Sequence, residues 1–457
     1  MFSSDGRAPR GARRARLALG AALLAGALIA SCGGAGWGTA QAPDRPNVLV
    51  VLTDDQPVGM TSRMPILSST PGFARFDSYY DNNPLCCPTR ATLLSGLYSH
   101  HTGVETNLQA SRFDDSATLA TWLQGAGYET GLFGKYLNNY PWQRGTGYVP
   151  PGWDRWAAFT PDASYYDYTL VGEQGTAAYG DEPADYSTDV LAGRVDEFIR
   201  GADQPFFAWF APYAPHAPRT PAPRHQRAFA DARVTLPANF NKVADGAPRW
   251  WGQRQRLERH DEQRATRDQW RSLQAVDEAI GRFGETLRAQ GELDDTVILF
   301  LSDNGYSLGS HRNPWKDCAY EECVHLPLWI RWPGHTDVGG RIGALAGSMD
   351  IAPTIAELAG ATPTSPVDGT SLVPLLTGER SSLDRPILLR HVHYHGVAPS
   401  FWGLRTERWT YVEYASGERE LYDDEADPHQ LRNLAGRRGF SKTERALHRE
   451  LSDMRAR

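Results

Sequence analysis

Two adjacent cysteines, Cys86 and Cys87, open the segment Cys-Cys-Pro-Thr-Arg-Ala-Thr-Leu-Leu-Ser-Gly that ends at Gly96. A disulfide between neighbours in sequence is strained and uncommon, so the pair is expected to serve another purpose. A cysteine thiolate paired with arginine for phosphoryl transfer needs five residues between the two, and neither Cys86 nor Cys87 has arginine at that distance. A second group offers hard oxygen atoms: Asp54 and Asp55 in one place, and Asp303 and Asn304 far along the chain. Brought together, these four suit Ca²⁺ or Mg²⁺ rather than zinc. Taken singly, each pair reads equally well as a turn or a helix cap. Lysines, arginines and histidines that could complete an anion site are numerous, and the residue pattern alone singles out none of them. None of these carries meaning alone, because a lone histidine or lysine is usually a surface or core residue.

The elements that must position these side chains repeat one pattern. Residues 46–53 form an apolar run of strand length that ends at Asp54-Asp55, as a strand buried on both faces does. Residues 128–133 predict a strand before Gly134-Lys135, residues 205–210 one that delivers His216, and residues 296–301 one that delivers Asp303-Asn304. Helices are expected over 118–127, 187–200, 270–290 and 350–359, with a further strand over 324–331. Strands alternating with helices predict a large mixed, mostly parallel sheet sandwiched by helices, whose ligands gather at the carboxyl ends of the strands. Near residue 380 the character changes: short strands over 386–391, 402–406, 409–414 and 418–422 precede a helix over 442–454. A catalytic domain over 46–380 and a smaller C-terminal α+β domain with an antiparallel sheet over 381–457 are therefore expected. Residues 225–267 show no clear period and read as a surface insertion.

Composition narrows the class. With 41% hydrophobic and 22% charged residues in 457, the chain is an ordinary globular protein large enough for more than one domain. A net charge of -7 gives no basis for tracking a nucleic-acid backbone, so no nucleic-acid partner is expected. Aromatic residues make 11%, which fits stacking on sugars or aryl groups. Residues 1–31 read as an export signal: Arg7, Arg10, Arg13, Arg14 and Arg16 precede an apolar run too short to span a membrane. Leu28-Ile29-Ala30-Ser31-Cys32 resembles a bacterial lipobox, which would lipidate Cys32, leave 32–45 as a tether and anchor the protein to the outer face of a membrane. The alternative is plain cleavage and secretion. In that oxidising compartment, a Cys318–Cys323 disulfide is favoured over a zinc site with His311 and His325, whose spacing matches no standard zinc pattern.

The run Cys86-x-Pro88-Thr89-Arg90, with Leu94-Ser95-Gly96 after it, resembles the signature of the formylglycine-dependent sulfatases of the alkaline-phosphatase-like superfamily. The resemblance continues through Tyr320-Glu321-Glu322, Leu326-Pro327-Leu328, Asp350-Ile351-Ala352-Pro353-Thr354 and Glu420-Leu421-Tyr422-Asp423. It implies that a cytoplasmic formylglycine-generating enzyme oxidises Cys86 to an aldehyde. The hydrated aldehyde attacks the sulfur of a sulfate ester, and its second hydroxyl later expels sulfate, a covalent two-step scheme that a thiol could not complete. The resemblance also implies one Ca²⁺ held by Asp54, Asp55, Asp303, Asn304 and the modified Cys86. Arg90 would hold the formylglycine hydroxyl, Lys135 and Lys316 would bind sulfate oxygens, His216 would protonate the leaving alcohol, and His311 would contact substrate. Where many arylsulfatases read Gly-Lys-Trp-His, this chain has Gly134-Lys135-Tyr136-Leu137, with Asn138 as a substitute contact. That form, the Cys-Cys pair and Pro150-Pro151-Gly152-Trp153 look closer to N-acetylglucosamine-6-sulfatases and heparan endosulfatases, so a sulfated carbohydrate is the expected substrate. Two other readings stand beside it: a phosphonate or phosphate diester hydrolase of the same fold, and a catalytically silent sugar-binding lipoprotein. The last predicts damage to Cys86, the acids or the lysines, and none is damaged.

Overall fold

The computed structural model describes residues 45–139, 145, 147–160, 163–173, 175–203, 205–336, 339–394 and 398–456. The expected signal over 1–31, Cys32 and nearly all of the tether lie outside the described residues. Among the described residues no helix is long and apolar enough to cross a membrane.

The run of valines and leucines after Pro46 forms β1 (Asn47–Thr53), buried along its whole length. Its side chains alternate between two cores: Val48, Val50 and Leu52 face one, Leu49 and Val51 the other. Helices Cys86–Ser95, Leu119–Gly125 and Ile351–Leu358 cover the first face, and Ser187–Gly201 and Arg259–Gln290 cover the second. The sheet also holds β2 (Phe73–Tyr80), β3 (Glu129–Gly134), β4 (Arg155–Phe159), β5 (Tyr168–Gly172), β6 (Gly175–Tyr179), β7 (Phe206–Ala211), β8 (Thr296–Ser302), β9 (Leu328–Arg331) and β10 (Gly340–Gly347). Their order is β10-β2-β9-β8-β1-β7-β3-β4-β5-β6. The central strands β8, β1, β7, β3 and β4 run parallel, while β9 lies antiparallel between β2 and β8. A doubly covered, mostly parallel sheet is therefore the architecture, as the alternation of elements predicted.

A second sheet of β11 (Ile387–His391), β12 (Phe401–Arg405), β13 (Trp409–Tyr414) and β14 (Arg419–Asp423) is antiparallel throughout. The helix Ser441–Arg455 follows, and its Leu447 and Leu451 join a core shared with Tyr80, Trp251, Tyr320 and Leu404. Arg390 donates its backbone N–H to the carbonyl of Asn82 at 2.8 Å, and the Asn82 side chain donates to Leu388 at 2.7 Å. These bonds tie β11 to the turn that leads into Cys86.

Three local expectations change. The strand expected over 324–331 is shorter, because Glu321–Val324 coils into a helical turn and Pro327 cannot donate to a ladder. The helix expected from 270 starts at Arg259. The supposed surface insertion packs inward: Val234, Leu236, Phe240, Ala244 and Trp251 are all buried. Those apolar residues are too widely spaced to show a period, yet each fills a place in the core.

Candidate active site

Four adjacent parallel strands end side by side, and each hands over a chemical group. β1 leads into Asp54-Asp55, β8 into Asp303-Asn304, β3 into Lys135, and β7 into the turn that carries His216. This is the carboxyl edge at which open α/β sheets place ligands. Gly134 at the end of β3 has φ +122, and a Cβ there would lie 2.0 Å from the Ala211 carbonyl oxygen. That oxygen accepts the Lys135 N–H at 2.8 Å, so only glycine permits the approach that aims Lys135 inward. Asp55 has φ 64, and its N–H donates to Asp303 Oδ1 at 3.1 Å, which locks the two strand ends together.

Cys86 and Cys87 form the first turn of the helix Cys86–Ser95, all of whose residues are buried. The N-terminus of a helix favours negative charge, which suits an anionic ester placed at Cys86. Asn107 Oδ1 accepts the Cys87 N–H at 2.9 Å. Thr89 Oγ1 donates to Asp81 at 2.7 Å and Ser348 Oγ to the same carboxylate at 3.0 Å, so Asp81 braces the helix from beneath.

The charges around Cys86 are paired. Arg90 donates from Nε to Asp303 Oδ2 at 2.9 Å and from Nη2 to Asp54 Oδ2 at 3.4 Å. Lys135 pairs with Asp54 and Lys316 with Asp55. Lys316 Nζ is also 2.9 Å from Cys86 Sγ and 3.3 Å from Asn304 Oδ1. His216 Nε2 is 3.6 Å from Asp55 Oδ2, and its Nδ1 lies 2.7 Å from the Ala217 carbonyl. Burial works to raise the Asp54 carboxyl, but Lys135, His216 and Arg90 outweigh it and hold the group below the usual carboxylate range. Asp55 is likewise held low, with Lys316 and His216 overcoming burial. Burial pushes the Cys86 thiol up to about 12 against the pull of Lys135 and Lys316, so an unmodified Cys86 is a protonated, weak nucleophile.

The structure thus brings Asp54, Asp55, Cys86, Arg90, Lys135, His216, Asp303, Asn304 and Lys316 into one cluster. It places His311 elsewhere: the ring is buried, stacked on Tyr320 at 3.8 Å, with Nε2 3.1 Å from Asn239. The flat ring packs in a core shared with Trp251. Asn138 presents its backbone N–H to the Cys87 thiol rather than to Cys86. Cys318 and Cys323 are joined as a disulfide, and His325 is occupied by Glu321 and the Asp77 carbonyl, so no zinc site forms from them. Residues that sequence reading passed over also stand here. Tyr394 bonds through its side chain to Asn107, and Asp317, Lys316 and Cys86 act on its phenol. Gln269 donates to the Asp55 carbonyl at 3.3 Å. Asn107 and Tyr394 sit in irregular loops with no motif around them, and only adjacency in space marks them.

A cation fits this donor set. Oxygens of Asp54 and Asp55, Cys86 Sγ and a ring nitrogen of His216 lie within 4.8 Å of one another. Asp303 and Asn304 meet them through the Asp55 N–H and through an Asn304 Nδ2 bond to Asp55 Oδ1 of 2.6 Å. Carboxylate and amide oxygens in this number are the chemistry of a hard divalent ion.

The family described as Sulfatase matches residues 46–361, and the one described as N-sulphoglucosamine sulphohydrolase, C-terminal, matches 309–457. An N-acetylglucosamine-6-sulfatase of Capra hircus is 32% identical over 87% of this chain and 81% of its own. A solved structure of a protein in complex with its substrate D-glucosamine-2-N,6-O-disulfate superposes with a TM-score of 0.81 at 26% identity, covering 90% of this chain and 98% of that one. A phosphonate monoester hydrolase of Agrobacterium radiobacter superposes with a TM-score of 0.73 at 22% identity over 90% and 96% of the two chains, a likeness of fold alone. Nine side chains of the expected kinds gathered at one sheet edge, and a family match over most of the sequence, lead to one conclusion: the chain belongs to the sulfatase family and is a sulfuric ester hydrolase.

Proposed function

We propose that this protein removes sulfate from a glucosamine-type sugar, using formylglycine made from Cys86 and a bound Ca²⁺. The observation that carries the reading is the placement of Cys86 at a helix N-terminus, within 2.9 Å of Lys316 and beside the Asp54 and Asp55 carboxylates. The family relatives support the sugar: one is named for N-acetylglucosamine 6-sulfate and another was solved with a 6-O-sulfated glucosamine.

Asp54, Asp55, Asp303 and Asn304 would hold the Ca²⁺, which when bound supplies positive charge against the sulfate oxygens. Formylglycine would supply, as its hydrate, the nucleophilic hydroxyl and a second one that releases sulfate. The chain's own groups do the rest. Arg90, clamped between Asp54 and Asp303, fixes the carboxylates and one side of residue 86. Lys135 and Lys316 turn two ammonium groups to where the anionic ester sits, and they gain strength from the dry surroundings. His216 donates from Nδ1 to the Ala217 carbonyl and turns Nε2 to the site, 3.6 Å from Asp55; as the doubly protonated imidazolium it would give the Nε2 proton to the leaving alcohol oxygen and be left neutral with Nδ1 still protonated. Export and lipid anchoring through Cys32 complete the proposal and place the enzyme where polymeric sulfated sugars occur.

The test compares turnover of N-acetylglucosamine 6-sulfate with turnover of its 6-phosphate and of a phosphonate monoester, in protein carrying the modified residue and Ca²⁺. Faster release of sulfate supports the proposal. A preference for the phosphorus ester would replace it with the phosphonate hydrolase reading.

A further inference from the structure

The cluster meets solvent through few atoms. The His216 side chain is 27% exposed and that of Lys316 12%, whereas those of Asp54, Asp55, Arg90 and Asp303 are almost fully enclosed. Substrate therefore enters past His216 and Lys316. The residue before Lys316 is Trp315, whose surface is 63% exposed. Large apolar side chains this open are few among the described residues: Leu108 is the other clear case at 68%, and Val58 lines a hollow with Asp77, His325 and Trp329. Leu108 adjoins Asn107, the residue that holds the Cys87 N–H. Both exposed apolar residues thus stand one position from a residue that touches the active-site turn.

A single exposed apolar side chain is ordinary on a protein surface. Trp315 differs in being pinned. Its carbonyl accepts the Ser307 N–H at 2.9 Å, and its own N–H donates to Asn313 Oδ1 at 3.4 Å, with Asn313 fully buried. Asn313 Nδ2 reaches the Lys316 carbonyl at 3.2 Å and the Cys323 sulfur at 3.7 Å, and the Cys318–Cys323 disulfide closes the loop behind it. The fold thus leaves Trp315 open to solvent on a braced loop, one residue from the lysine that borders the entrance.

Resting on the sugar reading of the site, we infer that Trp315 is a stacking platform for the sugar linked to the sulfated one, so that the enzyme takes an oligosaccharide end in preference to a free monosaccharide. A pyranose presents a face of C–H groups that packs on an indole while its hydroxyls stay in water, which matches an exposed aromatic ring beside a charged pocket. The sulfated sugar, held by Lys135 and Lys316, puts its glycosidic neighbour at the rim where Trp315 stands.

The experiment uses full-length enzyme with residue 86 modified. KM and kcat are measured on a monosaccharide, glucosamine 6-sulfate, and on a tetrasaccharide with that sugar at its non-reducing end. For W315A the ratio of tetrasaccharide KM to monosaccharide KM is expected to rise about tenfold over wild type, and W315F to restore most of it, as loss and return of one stacked ring would give. Equal shifts on both substrates, or none, would overturn the platform. So would an unchanged ratio joined to a change from dimer to monomer by sedimentation, which would make Trp315 a contact between copies. Wild-type enzyme that releases sulfate from an aryl ester but from neither sugar would refute the sugar reading itself, and the platform with it.

Discussion

Removing the Lys316 ammonium should disable catalysis while leaving the nucleophile in place. Its Nζ lies 2.9 Å from Cys86 Sγ and pairs with Asp55, so a sulfate attached at residue 86 would have this charge as a close neighbour. A unit charge about 4 Å from the transferred group, at an effective dielectric constant near 20, contributes roughly 4 kcal/mol. With the side chain 12% exposed, water screens a part of that. A loss of about 3–4 kcal/mol of transition-state stabilisation is about 10²–10³ in kcat, the size found when one oxyanion donor is removed. Lys316→Ala also leaves the Asp55 carboxylate less compensated beside an anionic ester, which adds in the same direction. The assay is sulfate release at saturating substrate, with the peptide containing residue 86 weighed in each preparation so that incomplete modification is not mistaken for a slow step. A fall in kcat of less than about fivefold, with modification as complete as in wild type, would refute the role given to this lysine.

Three further outcomes are expected. His216→Ala should slow hydrolysis of a sugar sulfate at least about tenfold more than that of a nitrophenyl sulfate, because a good leaving group needs no proton; equal losses would remove His216 from that role. Replacing Cys318 and Cys323 with serine should lower the free energy of unfolding by about 2 kcal/mol and also reduce kcat, since Asn313, which holds the Lys316 carbonyl, is itself bonded to the Cys323 sulfur; denaturant titration and rate measurement check the two effects. Burial raises the Asp81 carboxyl to about 8, against bonds from Thr89 and Ser348, so the folded chain keeps a proton that the unfolded chain releases near pH 4. The contribution of this group is therefore greatest at low pH and falls as pH climbs towards 8, by at most about 1.4 kcal/mol per unit. The melting temperature of Asp81→Asn relative to wild type should rise from pH 5 to pH 8, and a flat difference across that window would contradict the assignment.

Much of the site could be read from the chain because its residues follow strands. Thr53, Gly134, Ala211 and Ser302 close runs apolar enough to declare themselves, and the chemistry begins right after each. The antiparallel strands of the second sheet were equally visible, each within a residue or so of its place, since alternation and turns mark them. What stayed hidden depends on contacts across the fold. His311 carries the same local signs as a ligand, yet a stack on Tyr320 and a bond to Asn239 decide its place. Asn107 and Tyr394 reach the site from loops far apart in sequence, and the bond that unites them exists only after the two sheets pack. Strands β2, β4, β5, β6 and β10 have no long apolar run, and pairing with neighbours rather than local pattern makes them strands.

The most direct test of the mechanism is the mass of the peptide that contains residue 86, taken from active protein made in its own host. Conversion of the thiol to an aldehyde predicts a loss of about 18 Da from the sequence mass, and the extent of that loss should scale with sulfate release across preparations. An intact Cys86 in fully active protein would contradict the formylglycine mechanism.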